Sequence, residues 1–388
     1  MFAKQSNQLM AGAVTLLLLL ALGFGLYMLI NNLSQPLPVP QVELAEPAPA
    51  VNEEAGQGEG APADAESVAA HRSDQSQLES GQITSQALAG NLIGDPATRR
   101  YWVYLPPGYD TSDKRYPVVY ALHGMWFNSM QLVTPLAEAL DDLLAADQAR
   151  EMIIVYPDGS DRFRGNQYRS SPTVGDYETY IARELVEQID ATYRTLPRPE
   201  SRGITGCYGN GALHLAFMYP DVFSVAAPVS ADYDFEQDPQ QLERALASYR
   251  RDISDLHSLD ALPWQARGYI GLAAAVAPNP DKPPFYLDMP FTVVDGQAQI
   301  VPEVWEKIVA AAPVNEVNEY LDQPERLRAL LLYQDAGDVW TPVEGIRDFD
   351  RLLTRLGVEH ELLEVDTSKE RCELDFSPVV QFMSDNLV

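Results

Sequence analysis

One stretch of the chain, residues 201–219, constrains the fold more than any other. It reads Ser-Arg-Gly-Ile-Thr-Gly-Cys-Tyr-Gly-Asn-Gly-Ala-Leu-His-Leu-Ala-Phe-Met-Tyr. A short run ends near Thr205, glycines crowd the next six positions, and an apolar stretch with helical character follows. Glycine permits the tight turn and the close backbone approach that such a junction needs. The stretch therefore predicts a strand that turns sharply into a helix, with Tyr208 held on the turn.

From about Leu78 to the carboxyl end, predicted strands alternate with predicted helices. The strands fall at 100–105, 116–122, 152–156, 222–229, 329–334 and 361–365, and clear helices fall at 132–146 and 177–193. Such alternation is typical of an α/β fold with a mostly parallel sheet and helices on both faces. Residues 232–325 interrupt the alternation with a polar helical stretch and a Pro-rich segment, and they are predicted to be an insertion.

The amino-terminal segment Leu9–Ile30 carries no charged residue. At a rise of about 1.5 Å per residue, it is long enough to cross a bilayer core of roughly 30 Å. A cleaved signal peptide is the alternative, but its apolar region is usually only about 7–15 residues long and ends at a small-x-small site. We expect an uncleaved single-pass anchor. Lys4 precedes the span, which favours a short cytoplasmic end, residues 1–8, with the rest of the chain outside the cytoplasm.

Residues 31–78 change in composition to Pro, Ala, Glu, Gln, Ser and Gly. Such a segment buries too little apolar area to offset its ordering entropy, so we predict a flexible acidic linker. The globular domain is then expected at residues 79–388.

The formal net charge of −29 argues against nucleic acid and anionic lipid surfaces as partners. The chain has only two cysteines, Cys207 and Cys372, which excludes a disulfide framework and a thiolate metal cluster. Its five histidines show no metal-ligand spacing. We therefore expect neither a metal nor a cofactor.

Several short motifs follow one another along the globular part of the chain. They are Tyr104-Leu105-Pro106-Pro107-Gly108-Tyr109, the segment 115–124, Tyr156-Pro157-Asp158-Gly159, the segment 175–185, Tyr193-Arg194-Thr195, the segment 279–291, and Asp335-Ala336-Gly337-Asp338. In this order they resemble the esterase D branch of the α/β-hydrolases, which includes S-formylglutathione hydrolases, feruloyl esterases and mycolyltransferases. The resemblance implies an α/β-hydrolase fold with a mostly parallel eight-stranded sheet. It also implies that the insertion at 232–325 is a cap over the pocket, although a surface excursion without a pocket role is the alternative.

The family's chemistry implies a Ser–Asp–His triad, in which histidine activates serine and the carboxylate fixes the histidine tautomer. By resemblance, the nucleophile position falls on Tyr208, the acid on Asp338, and the histidine on or near Lys369. Two of the three positions thus carry the wrong side chain. An ordinary phenol has a pKa of about 10 and is almost fully protonated at neutral pH without a base beside it. The sequence therefore predicts a degenerate triad.

The resemblance also implies the other parts of the site. The backbone N–H groups of Met125 and Gly209 would form the oxyanion hole. At the second glycine position of the turn stands Asn210, whose side chain falls where strand and helix approach most closely. The remaining pocket side chains are His123, Trp126, Tyr168, Cys207 and Trp340.

Three alternatives involve unusual residues. Cys207 could act as a thiol nucleophile with His123 as its base, or Cys207 could instead point into the core behind the turn. Tyr208 could be activated by Lys369 if burial lowered the pKa of the lysine. Finally, Cys207 and Cys372 could form a disulfide if the domain is extracytoplasmic, or both could be buried thiols.

These features predict a catalytically inactive, membrane-anchored esterase-like protein that acts as an extracytoplasmic binding or scaffold module. The expected partners are the membrane, proteins of a membrane complex, or a small acyl or ester-like ligand. The alternatives are an active carboxylic-ester hydrolase or acyl transferase with non-standard residues, and a structural subunit of a membrane complex. A pocket that survives beside Tyr208 would favour ligand binding, whereas a pocket filled by Tyr208 would favour a structural role.

Overall fold

The computed structural model describes residues 75–125, 129–236, 239–249, 253–338, 341, 343–367 and 374–388. The predicted membrane span, most of the predicted linker, and the site candidates Trp126, Trp340 and Lys369 lie outside these ranges, as does Cys372. Within the ranges, every helix falls short of the length and hydropathy that a membrane crossing requires.

Eight strands form one sheet in the order β1-β2-β4-β3-β5-β6-β9-β10. The two pairings made by β2, with β1 and with β4, are antiparallel, and every other neighbouring pair is parallel. The expected mostly parallel sheet of an α/β-hydrolase-like fold is thus confirmed. The sheet strands are β1 Gln77–Thr84, β2 Thr98–Leu105, β3 Val118–Leu122, β4 Ile153–Pro157, β5 Arg202–Cys207, β6 Val225–Val229, β9 Ala329–Asp335 and β10 Glu361–Val365.

Helices cover both faces of the sheet because its central strands are apolar on both sides. Every residue of β3, β4, β5 and β6 is buried. One face packs against α1 and α9, and the other against α2, α3, α8 and the insertion. These helices are α1 Met130–Ala145, α2 (Tyr177–Thr179, a π-helical segment Tyr180–Leu185, and Val186–Thr192), α3 Asn210–Met218, α8 Val343–Leu356 and α9 Ser377–Asn386.

Among its described residues, the insertion between β6 and β9 contains four α-helices, a 3-10 helix at Ser258–Ala261 and a small hairpin. The helices are α4 Pro239–Ser248, α5 Trp264–Val276, α6 Pro302–Ala310 and α7 Pro313–Asp322, and the hairpin strands are β7 Phe291–Val294 and β8 Gln297–Ile300. The hairpin turns at Asp295 and Gly296, whose φ angles are 51° and 80°. Positive φ at both positions is the geometry of a type I′ turn.

A buried ionic cluster joins the insertion to the elbow helix. Glu316 of α7 accepts hydrogen bonds from Arg169 Nη1 at 2.5 Å and Nη2 at 2.9 Å, and its Oε1 lies 2.9 Å from His214 Nδ1 of α3. On its other side, His214 Nε2 lies 3.3 Å from Oε1 of Glu178 in α2. Two cationic and two anionic side chains therefore meet in the interior with their charges matched.

Candidate functional site

The turn between β5 and α3 has the strained geometry that the sequence predicts. β5 ends at Cys207, α3 begins at Asn210, and Tyr208 lies between them with a φ of 47°. A non-glycine residue in this left-handed region costs on the order of 1–3 kcal/mol and persists only where its surroundings hold it there. The fold therefore presents Tyr208 where a hydrolase of this kind would hold its nucleophile.

The backbones around this turn approach so closely that side chains are excluded. A Cβ on Gly124, just after β3, would lie 2.6 Å from the carbonyl oxygen of Cys207. A Cβ on Gly209 would lie 2.6 Å from the Cβ of Pro228 in β6. Real Cβ atoms do not come this near, so these two glycines are required for the ends of β3, β5 and β6 to meet.

The expected oxyanion donor at Gly209 is engaged elsewhere. Its N–H donates to the carbonyl oxygen of Val229, at the end of β6, at 3.0 Å. In this structure the N–H of Gly209 therefore points toward the end of β6. The second expected donor position, Met125, lies at the edge of the cavity described below.

Asn210 is accommodated at the elbow by pairing with the backbone. Its Nδ2 donates to the carbonyl oxygen of Asp232 at 2.5 Å, and its Oδ1 accepts from the N–H of the same residue at 3.1 Å. The side chain thus ties the start of α3 to the chain that leaves β6. Both polar atoms of the Asn210 side chain therefore have backbone partners where the strand and the helix approach most closely.

His123 is a neutral, structural histidine. Its Nε2 accepts from the N–H of Gly159 at 2.9 Å, and its Nδ1 lies 3.1 Å from the carbonyl oxygen of Gly124, which can only accept. These partners fix a tautomer with the proton on Nδ1, and burial lowers the pKa of the ring. With both nitrogens occupied, His123 is not available as a base.

Cys207 is disulfide-bonded, which settles two of the alternatives left open by the sequence. A half-cystine has no thiol, so the proposed pairing of a Cys207 nucleophile with His123 is wrong. The chain contains one other cysteine, Cys372. The disulfide alternative, not the buried thiol, therefore holds for Cys207.

Two acidic residues mark the end of β9: Asp335 is its last residue, and Asp338 lies three residues beyond. Asp335 contacts the chain that leaves β10. Asp338, the predicted acid, is buried, and its N–H donates to the carbonyl oxygen of Asp335 at 3.1 Å. The carboxylate of Asp335 accepts from the N–H of Gly337 at 2.8 Å and from the N–H and hydroxyl of Thr367. The motif Asp335-Ala336-Gly337-Asp338 includes Asp335, but no role was predicted for it, although its place at a strand end was the available signal.

A cavity of about 360 Å³ remains beside Tyr208. Met125, Tyr168 and Tyr208 line it, as the sequence predicts, and Tyr208 stays partly exposed instead of filling it. The ring of Tyr168 fits against Gly159 and Gly211, and its hydroxyl donates to the carbonyl oxygen of His123 at 3.2 Å. The remaining described lining residues are His123, Gly124, Gly159, Ser160, Asp161, Arg164, Gly165, Asn166, Gln167, Asn210 and Gly211.

The insertion supports this cavity from the side. Among its described lining residues, none belongs to 232–325, but Gly268 and Gly271 of α5 pack against Met125 and Gly165. A second cavity of about 440 Å³ shares three wall residues with the first (Ser160, Asp161 and Arg164) and includes residues 256, 257 and 260 of the insertion. The described part of the insertion thus lines the second cavity and packs against the walls of the first, and the cap over the first cavity stays a prediction.

No cluster of His, Cys, Asp and Glu with the arrangement of a metal site occurs among the residues that the structure describes.

Comparison with known proteins places the fold in a family. The model of the family described as "Putative esterase" matches residues 96–317. Esterase Rv1288 of Mycobacterium tuberculosis is 30% identical over 143 residues, which are 35% of this chain and 30% of that protein. The uncharacterized protein YbbA of Bacillus subtilis is 22% identical over 153 residues, which are 36% of this chain and 58% of YbbA. The chain therefore spans less than two thirds of either relative.

Among solved structures, a ferulic acid esterase superposes with a TM-score of 0.55 at 19% identity, over 81% of this chain and 99% of that chain. An S-formylglutathione hydrolase from Agrobacterium tumefaciens gives 0.50 at 14% identity, over 81% of this chain and 97% of the other. At such identities these likenesses concern the fold alone. Since the family model covers more than half of the 388 residues, the chain belongs to this esterase family, an esterase D-like branch of the α/β-hydrolases.

Proposed function

We propose that this protein is a membrane-anchored, extracytoplasmic binding protein built on an esterase fold, without ester-hydrolase activity. The observation that carries the proposal is the cavity of about 360 Å³ that remains open beside Tyr208. Sites for small ligands are typically concave spaces of roughly 300–1,000 Å³, so the cavity has the size of a binding site.

The proposed inactivity follows from where the catalytic groups are engaged. Tyr208 stands at the nucleophile position, and both ring nitrogens of His123 have backbone partners. The N–H of Gly209 bonds to Val229. Loss of one oxyanion donor alone costs about 10²–10³ in rate, and loss of a triad member costs more. Ester hydrolysis is therefore expected to stay near the uncatalysed rate.

The proposed location rests on two features of different kinds. The segment Leu9–Ile30 has the length and apolarity of a membrane anchor. Cys207 is disulfide-bonded, and disulfides persist mainly in oxidising compartments outside the cytoplasm. Both features support an anchor with the domain on the extracytoplasmic side.

A topology experiment tests the location. Cells that express the full chain would be treated with a membrane-impermeant maleimide, with and without prior reduction. We expect Cys207 and Cys372 to be labelled only after reduction and without cell lysis. Labelling that requires lysis would place the domain in the cytoplasm and refute this part of the proposal.

The activity is tested with the full chain in detergent and p-nitrophenyl acetate as substrate. We expect no rate above the buffer blank. A rate that the conservative variant Tyr208→Phe abolishes would instead show an active hydrolase that uses the phenol.

Ligand binding is tested by a thermal-shift screen of a small-molecule library against the full chain. We expect saturable stabilisation by at least one compound class, lost when the cavity is blocked by Gly165→Trp. If no compound binds while the protein melts cooperatively, the structural-subunit alternative replaces the ligand-binding one.

A further inference from the structure

The edge of the sheet carries an exposed surface on its first two strands. We call it the edge surface, and it consists of Leu78, Ser80 and Gln82 of β1 with Arg100 and Trp102 of β2. The antiparallel register pairs Ser80 with Trp102 and Gln82 with Arg100, so these side chains lie on one side of the sheet. Leu78 is 46% exposed, and Trp102 is only partly buried. An aliphatic and an aromatic side chain therefore meet solvent on this strand pair.

Arg100 is an exposed cation on the edge surface. Its guanidinium carbon lies 5.8 Å from the centroid of the Trp102 ring. Among the described residues, no carboxylate forms an ion pair with it. The N–H of Asp158 donates to the carbonyl oxygen of Arg100 at 3.0 Å, but the carboxylate of Asp158 accepts from the hydroxyl of Ser160 instead. An arginine without an ion pair, in a chain with 56 acidic and 27 basic residues, favours an acidic partner.

The described chain begins beside the same surface. The hydroxyl of Ser76 donates to Asp141 of α1 at 2.8 Å, and the hydroxyl of Tyr104 donates to the other oxygen of that carboxylate at 2.7 Å. These bonds fix the start of β1 next to Leu78, which is the end of the edge surface farthest from Arg100. The part of the linker that directly precedes residue 75 is therefore attached at one end of this surface.

This part of the linker has a composition that complements the surface in the same order. Read backwards from Ser76, it contains the apolar run Val68-Ala69-Ala70 and then the acidic residues Glu66 and Asp64. The surface presents its apolar side chains nearest to Ser76 and its cation, Arg100, farthest away. A segment that runs back along β1 would place apolar residues on apolar ones and a carboxylate near the guanidinium.

The linker is also long enough for this contact. Arg100 lies opposite Gln82, six positions beyond Ser76, and six strand residues span about 20 Å. Glu66 precedes Ser76 by ten positions, and ten residues reach up to about 33 Å. Because the segment is attached beside the surface, its effective concentration there is on the order of millimolar, so a weak contact is sufficient.

We propose that residues 64–70 of the linker bind the edge surface of their own domain. The run Val68-Ala69-Ala70 lies against Leu78 and Trp102, and the carboxylates of Glu66 and Asp64 pair with Arg100. The contact shortens the unbound part of the linker to residues 31–63, which reduces the distance that the domain can move from the proposed anchor. It does not depend on the cavity beside Tyr208.

Photo-crosslinking of the full chain in detergent tests this contact. The crosslinker p-benzoylphenylalanine replaces Gln82, and in a control it replaces Gln299, an exposed glutamine of β8. We expect peptides that contain residues 64–70 to be joined to position 82 and not to position 299. Arg100→Glu should lower the yield about fivefold, the factor that an exposed ion pair can supply, whereas the exposed control Arg328→Glu should leave it unchanged.

A charge reversal then tests the ion pair itself. The triple variant Asp64→Lys, Glu66→Lys and Arg100→Glu exchanges the two signs, so it should restore the crosslink that Arg100→Glu alone weakens. A contact that depends only on the apolar residues would give the same yield in all of these variants, and that result would reject the pairing with Arg100.

Proteolysis gives a second readout that needs no crosslinker. A Glu-specific protease cleaves after Glu66 and also after Glu54, which lies earlier in the same linker. With the rates in the unfolded chain as the reference, folding should slow cleavage after Glu66 about fivefold more than cleavage after Glu54. Arg100→Glu should remove most of that difference.

Three results would overturn the inference. A crosslink from position 82 to a second copy, seen as a doubled mass on a denaturing gel, would assign the edge surface to a dimer interface. The absence of any crosslink to residues 64–70 would show that another occupant, or none, covers the surface. Equal protection of Glu54 and Glu66 from the protease would show that the linker stays unbound along its whole length.

Discussion

Two buried charged groups lie within one short segment, and they differ in how their charge is balanced. Both terminal nitrogens of Arg169 bond to Glu316, and Nη2 also bonds to the carbonyl oxygen of Ala311 at 2.7 Å, although Nε has no hydrogen-bond partner. Asp161 has one buried oxygen with no partner, and burial raises the pKa of its carboxyl to about 7. A carboxylate therefore compensates the charge of Arg169, whereas burial disfavours the charge of Asp161.

The largest expected effect comes from breaking the matched cluster. Glu316→Gln removes the carboxylate but keeps the shape, so Arg169 and His214 lose their shared counter-charge in the interior. Removal of one partner from a buried ion pair typically costs about 3–5 kcal/mol. We expect a loss of this size in the free energy of unfolding, measured by chemical denaturation. The exposed residue Glu319 on the same helix provides the control, and Glu319→Gln should change stability by less than about 0.5 kcal/mol.

If the ionic cluster contributes nothing to the free energy of unfolding, the variant will show no loss of stability. If Glu316→Gln melts like the wild type, the insertion is held by its apolar contacts alone, and the contrast with Asp161 disappears.

The next effect has the opposite sign. Asp161→Asn should stabilise the ligand-free protein at pH 8, because an amide has no charge to bury. The folded pKa of Asp161 is raised to about 7, above the ordinary value of 3.8, so the native state binds the proton more tightly than the unfolded chain does. Wild-type stability therefore falls as the pH rises from about 4 to 7.

We expect Asp161→Asn to gain about 2 kcal/mol at pH 8 and little at pH 4, a value reduced from the full shift because screening and relaxation weaken it. The charged side chains that act on this carboxyl are Asp95 and Arg99, and they remain in the variant. Thermal melts at the two pH values measure the difference. A variant that is less stable at pH 8 would mean that the unpaired oxygen already has a stabilising partner.

The third effect concerns the histidine of the matched cluster. Burial and the charge of Arg169 lower the pKa of His214, but Glu316 and Glu178 outweigh them and raise it above 6.5. The resulting stability is fully present below the unfolded pKa of about 6.5 and is lost as the pH rises through the higher folded value. His214→Gln should therefore cost about 1–2 kcal/mol at pH 6 and less at pH 9. An equal cost at both pH values would show that His214 acts through packing and not through its charge.

The smallest expected effect is on catalysis. Tyr208→Ser alone should leave hydrolysis of p-nitrophenyl acetate at the buffer rate, since neither His123 nor the N–H of Gly209 is free to assist. Asn210→Gly should not improve it, because the Asn210 side chain holds the elbow through Asp232. A rate well above the blank for Tyr208→Ser would reveal a base that these contacts do not show.

The sequence could predict those strands and turns whose apolar or glycine pattern matches their burial in the folded structure. The strand at 361–365 and the elbow at Tyr208 follow from apolar runs and glycine spacing. β1 was missed because it lies at a sheet edge and is largely exposed, so its residues carry almost no apolar alternation. The hairpin at Asp295-Gly296 was also missed, although Asp-Gly between short apolar runs is a recognisable turn signal.

The candidate site was harder to predict for a different reason. Family motifs point to Tyr208, Asp338 and Lys369, but they do not indicate which polar atoms lack partners. The Oδ2 atom of Asp161 and the Nδ2 atom of Asn166 lack hydrogen-bond partners, and this property depends on the folded segment as a whole. The direction of the Gly209 N–H is likewise set by the position of Val229 in a neighbouring strand.

The close approach at Gly124 and Gly209 bears on how such chains are recognised. Both glycines are required by neighbouring backbones, whether or not any reaction occurs at Tyr208. Any chain that keeps these strand ends packed together must therefore keep the two glycines. A descendant of an esterase would retain this glycine pattern even after it had lost the reaction. A motif search that scores these glycines measures inherited geometry, and only the side chain held on the turn carries information about chemistry.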